Sequence, residues 1–114
     1  MHCTVSVRHS GDVAIIDLAG RVMQTAGADA VRDAIKAELD HGRKNILLNL
    51  DGVDFIDSSG LGTLASSFIT VSRLGGRMKL LNTQSRVDSM LQVTRLYTVF
   101  VTFTDEREAV ASFS

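Results

Sequence analysis

Apolar and polar residues alternate from the start of the chain, with Cys3, Val5 and Val7 set against Thr4, Ser6 and Arg8, the period of a strand with one wet face. His9-Ser10-Gly11-Asp12 supplies turn residues before Val13 to Ala19, where Ala14, Ile16 and Leu18 share a face, so the pattern predicts a hairpin. Ala28, Val31, Ile35 and Leu39 then recur at helical spacing, and His41-Gly42 offers a stop, predicting an amphipathic helix over Ala26 to Asp40. Ile46 to Leu50 reads as a strand. Ile46, Leu47, Leu48 and Leu50 place apolar side chains on both of its faces, so it belongs inside a sheet with helices covering it.

Asp51 to Asp57 reads as a connection into a second helix that carries Leu61, Leu64, Phe68 and Val71 and ends at Gly75-Gly76. Met78 to Leu81 is the next strand. Thr83 is the expected cap of a third helix with Val87, Met90, Leu91 and Thr94 inward, and Val99 to Phe103 the last strand. Thr104 is the expected cap of a final helix, whose acidic opening, Asp105 and Glu106, suits the helix dipole and whose Ala109, Val110 and Phe113 dock it on the body. The order ββαβαβαβα implies a single α/β domain over residues 1–114, with a mixed, mostly parallel five-stranded sheet and right-handed crossovers.

Composition narrows the function. With 12 basic and 13 acidic residues among 114, and no basic run, the chain lacks the charge to neutralise several phosphates, which excludes nucleic acid as a partner. The single cysteine, Cys3, allows neither an intramolecular disulfide nor a multi-thiolate metal site. Residues Met1 to Ser10 lack the layout of a signal peptide, and no apolar run approaches the roughly 20 residues of a membrane span, so a cytoplasmic protein without direct membrane insertion is expected.

The chemistry concentrates in Asp51-Gly52-Val53-Asp54-Phe55-Ile56-Asp57-Ser58-Ser59-Gly60-Leu61-Gly62, between the central strand and the second helix. Loops beyond the carboxyl ends of parallel strands are where ligands and partners bind, and a helix starting there has unpaired N–H groups. Ser58 there has an ordinary reading as a helix cap, worth about 1 kcal/mol. Gly60 and Gly62, however, each cost a first helical turn roughly 0.5–1 kcal/mol against Ala. Either they let another chain or a phosphate approach closely, or they allow tight packing onto the sheet.

The run Phe55-Ile56-Asp57-Ser58-Ser59-Gly60-Leu61-Gly62, preceded by the strand Asn45 to Leu50 and followed by a helix, Gly75-Gly76 and a strand, resembles the STAS domain of bacterial anti-sigma-factor antagonists. The resemblance implies phosphorylation of the serine directly after the Asp, here Ser58 with Ser59 the lesser choice, by an anti-sigma factor that is itself a serine protein kinase, and reversal by a phosphatase. It implies a partner-binding surface of Arg21, Met23, Asp57, Ser58, Ser59, Gly60, Leu61 and Gly62. The chain departs from the family at Gly20-Arg21-Val22-Met23-Gln24, where an acidic pair around a hydrophobic residue is usual, and has no proline to open the third helix. STAS domains also serve as subunits or scaffolds of transporters and stress-signalling assemblies, the rival reading; the oligomeric state is left open.

Enzyme readings are weaker. Gly60-Leu61-Gly62-Thr63-Leu64-Ala65 fits G-x-G-x-x-A, but the loop before it is long and no acid ends the strand at Leu81-Asn82. His2, His9 and His41 are scattered, and Ser58 lacks the preceding glycine of a nucleophile elbow. Asp51, Asp54 and Asp57 fit turn and cap roles better than a magnesium site. Neither catalysis, cofactor nor metal is therefore expected.

Overall fold

In the computed structural model, which describes residues 3–23 and 27–114, a tight turn at Gly11 joins β1 (Thr4–Ser10) to β2 (Val13–Val22) as an antiparallel pair. The chain continues through α1 (Ala28–Asp40), β3 (Asn45–Ile56), α2 (Ser58–Arg73), β4 (Arg77–Leu81), α3 (Ser85–Thr94), a 3₁₀ turn at Leu96–Thr98, β5 (Thr102–Phe103) and α4 (Glu106–Ala111). The strands lie in the order β1-β2-β3-β4-β5, and all neighbours after the opening hairpin run parallel. This is the α/β order ββαβαβαβα with a mixed five-stranded sheet.

The two faces of the sheet are covered unequally. Ala14, Ile16, Leu18, Ile46, Leu48, Leu50 and Leu80 pack beneath α1, α2 and α3, which contribute Val31, Ile35, Leu61, Leu64, Val71, Val87 and Leu91. On the reverse face Val13, Ile15, Leu47 and Leu81 meet a smaller set near the C-terminal end, Ala109 and Phe113 with half-buried Phe103 and Val110 against them. The short α4 is secured there by polar contacts: Lys79 Nζ lies 4.7 Å from the Phe113 ring centroid and donates to Ser112 O, while Arg8 bridges Asp17 and Glu106 at 2.6 and 2.8 Å. The Arg8 guanidinium holds both carboxyls below the ordinary carboxylate range.

Several boundaries differ from the sequence expectations, each for a local reason. The segment after Leu50 is strand as far as Ile56, because Val53 and Ile56 turn inward and β2 runs beside it to Val22. Register shifts at Asp17/Ala19 and Gly20/Arg21 accommodate the extension. The last strand shrinks to Thr102–Phe103; only Phe100 of its predicted first half is buried, edge-on to Phe68 with ring centroids 5.4 Å apart. Gln84 precedes α3 in place of Thr83, whose hydroxyl instead donates to Asp88 Oδ1. Thr94 is exposed and bonds back to Met90 O. Asp105, whose carboxylate accepts the Arg107 N–H, caps α4 in place of Thr104. Helix α1 is described from Ala28; its expected start at Ala26 lies outside the described residues.

Glu38 is the one charged side chain buried in the described core; its carboxylate accepts from Arg43 Nε at 2.6 Å and bonds His9 Nε2 at 2.7 Å, fastening α1 to the end of β1. Arg43, ahead of His9, draws its pKa below the ordinary value. A carboxyl lowered by folding contributes stability above its unfolded pKa, near 4.3, and loses it as pH falls through the folded value. Urea melts should therefore show stability declining below about pH 5. Glu38→Gln should cost about 1–2 kcal/mol at neutral pH and flatten that decline.

Candidate functional site

Strands β2 and β3 run parallel and finish at the same edge of the sheet, and α1, α2 and α3 each begin there. Val22 O, at the end of β2, accepts the Asp57 N–H at 3.3 Å, so the start of α2 is seated directly on the neighbouring strand. Asp57 is extended, and its side chain accepts from Gly60 N at 2.8 Å; it is the N-cap. The ordinary reading of Ser58 as the cap is thereby replaced: Ser58 is the first helical residue, exposed, and its hydroxyl makes no hydrogen bond among the described residues.

The eight residues singled out from the sequence divide. Arg21 and Gly62 are exposed with Ser58; Met23, Asp57 and Ser59 are half-buried. Gly60 and Leu61 turn into the interior, with Leu61 joining the main core. A Cβ on Gly60 would stand 2.2 Å from Val22 O, whereas one on Gly62 would meet nothing within 4 Å. Arg21 pairs opposite Phe55 in the β2–β3 register, and Met23 forms a parallel bridge with Gly27, the residue before α1. Gln24 lies outside the described residues.

Two groups beside this edge carry no signature in the sequence. Arg32 of α1 reaches across to α2, donating to Thr63 Oγ1 at 3.4 Å and to Asp29 Oδ1 at 2.6 Å. On a helix drawn from sequence Arg32 is one more polar residue of the outer face, because the direction of α2 is not local information. Arg86 of α3 lies over the Phe55 ring at 5.6 Å, beside an open groove of about 520 Å³ lined by Asp54, Phe55, Gln84 and Ser85. Asp51 and Asp54 are exposed along β3, Asp57 is committed to its cap, and no three potential metal-binding side chains converge among the described residues.

A family model for the STAS domain matches residues 4–109. The chain belongs to the STAS domain family. It is 24% identical over 111 residues to an anti-sigma F factor antagonist of Paenibacillus polymyxa, covering 96% of this chain and 94% of that one. An anti-sigma factor antagonist from Mycobacterium paratuberculosis superposes with a TM-score of 0.85 at 20% identity, over 97% of this chain and 93% of that one. The Bacillus cell fate determinant SpoIIAA in its phosphorylated form gives 0.76 at 22% identity, over 97% of this chain and all 100% of that one. These likenesses establish an anti-sigma-factor-antagonist-like STAS fold. No helix among the described residues is long and apolar enough to cross a membrane.

Proposed function

We infer that this protein is a cytoplasmic, non-catalytic switch in the regulation of a sigma factor. Its unphosphorylated form binds an anti-sigma factor that is also a serine kinase and so frees the sigma factor. Phosphate on Ser58 ends that binding, and a phosphatase restores it. The observation that carries this reading is the cap exchange at α2: Asp57 satisfies the Gly60 N–H, so the exposed Ser58 hydroxyl has no structural duty among the described residues.

The naming of the Paenibacillus relative as an anti-sigma F factor antagonist, and the existence of SpoIIAA in a phosphorylated form, support the same reading. The proposed docking face consists of exposed Arg21, Ser58 and Gly62 with the accessible parts of Met23, Asp57 and Ser59. Arg21 and Met23 place a cation and an apolar side chain where the family pattern has acids, so the partner should present a different complement there. A phosphoryl group brings about −1.5 to −2 charges and a hydration shell into that face, which disfavours docking because that charge must be desolvated against the partner.

The test is phosphorylation by the cognate kinase with ATP, followed by peptide mass spectrometry. The main phosphate is expected on Ser58 and absent from Ser58→Ala. Undiminished labelling of Ser58→Ala would overturn the assignment.

A further inference from the structure

Ser58 and Ser59 are adjacent in sequence but project about 100° apart around α2. Ser58 faces solvent, while half-buried Ser59 lies on the side turned toward α1. On that side an open groove of about 420 Å³ is walled by Ala28, Asp29, Arg32, Ser59 and Thr63. Thr63, one turn after Ser59, donates its hydroxyl to Ser59 O at 3.1 Å and accepts from Arg32 Nη2 at 3.4 Å. The guanidinium is thus delivered by a separate helix to the groove that Ser59 enters.

We propose that this groove is an intramolecular receptor for a phosphoryl group on Ser59, with Arg32 as the residue that holds it. The proposal rests on the reading of the start of α2 as a kinase target. In the modification, Ser59 Oγ bonds to the γ-phosphorus of a nucleoside triphosphate as that phosphorus's bond to the β–γ bridging oxygen breaks, the nucleoside diphosphate leaves, and the hydroxyl proton passes to a base of the kinase. Phosphate on Ser58 is displayed on the docking face; phosphate on Ser59 is stored between α1 and α2. Asp29 is the carboxylate in the groove wall, and Asp57 caps the helix beside it. Arg32 now pairs with Asp29, but both side chains are more than half exposed, at 53% and 79%, and such a pair contributes little. A dianion offering three acceptor oxygens to a planar guanidinium is the stronger competitor.

The experiment installs phosphoserine at position 59 or 58 by genetic encoding, so that it needs no kinase, and titrates each protein by ³¹P NMR. The second phosphate pKa, ordinarily about 6, should lie lower at position 59 than at 58 by half a unit or more, since a neighbouring cation favours the dianion. Arg32→Gln should erase that difference and leave position 58 unchanged, and Arg32→Lys should restore part of it. Alkaline phosphatase should release phosphate from position 59 several-fold more slowly than from 58, and Arg32→Gln should remove the protection. Equal pKa values at the two positions, or a value at 59 indifferent to Arg32, would overturn the receptor. Failure of the kinase to label Ser58 would instead defeat the switch and leave the receptor result standing.

Discussion

Ser58→Asp is expected to weaken binding of the cognate anti-sigma kinase by about 100-fold or more, with the fold and its melting temperature intact. A 100-fold loss corresponds to about 2.8 kcal/mol, within reach of one desolvated charge placed at the centre of a docked surface. Within the free protein the same charge has opposing small effects, because Asp57 alongside repels it while the start of the helix attracts it. Position 58 is the first residue of α2, where a carboxylate favours the helix dipole by about 0.3–1 kcal/mol. Binding and stability should therefore move apart, a pattern that a folding defect cannot produce. Ser58→Ala, which removes no hydrogen bond among the described residues, should bind within about threefold of wild type and lose the main phosphorylation. Calorimetric titration of the kinase against the three proteins, with thermal melts in parallel, decides it. Tight binding by Ser58→Asp would show that negative charge at this position does not control docking.

The element order was legible because it rests on periodicity: alternation marks the hairpin, and spacings of three and four mark the helices, whatever their neighbours. The limits of β3 and β5 were not, because they depend on partners. β3 continues to Ile56 because β2 offers it a neighbour, and only then do Asp51 and Asp54 read as the wet positions of a strand. β5 is short because its register with β4 engages Leu80 and Leu81 alone, whatever the β propensity of Val99 and Val101. The caps failed for a related reason: Thr83 and Gln84, like Thr104 and Asp105, are adjacent choices, and periodicity does not resolve a boundary to one residue. At the site, the sequence located the chemically distinctive run and the structure divided it. Ser58 and Gly62 look outward while Gly60 and Leu61 look in, a division that follows from the phase of α2 against the sheet. Arg32 had no sequence signature because its relation to Ser59 spans two helices.

Gly60→Ala and Gly62→Ala should have opposite effects on stability, though the sequence presents the two glycines as one motif. At position 60 the new methyl would lie 2.2 Å from Val22 O and 2.8 Å from Ile56 Cγ1. The nearer contact is backbone in β2, the same carbonyl that accepts the Asp57 N–H, so relief requires the first turn of α2 to lift off the strand. Overpacking of this kind costs about 1–3 kcal/mol, and the movement carries Ser58 with it, so phosphorylation should slow as stability falls. At position 62 a methyl meets nothing within 4 Å, and Ala should gain roughly 0.5–1 kcal/mol of helix stability. The two explanations first open for the pair, close packing and close approach, thus belong to different glycines. Packing accounts for Gly60. Gly62 has no packing reason in the free chain, and close approach by the docked partner accounts for it only if Gly62→Ala weakens binding while raising stability. Urea melts of both variants, with the same calorimetric titration, test the division. A Gly62→Ala protein that is more stable and binds unchanged would remove Gly62 from the docking face, and a Gly60→Ala protein as stable as wild type would show that α2 does not rest on Val22 as described.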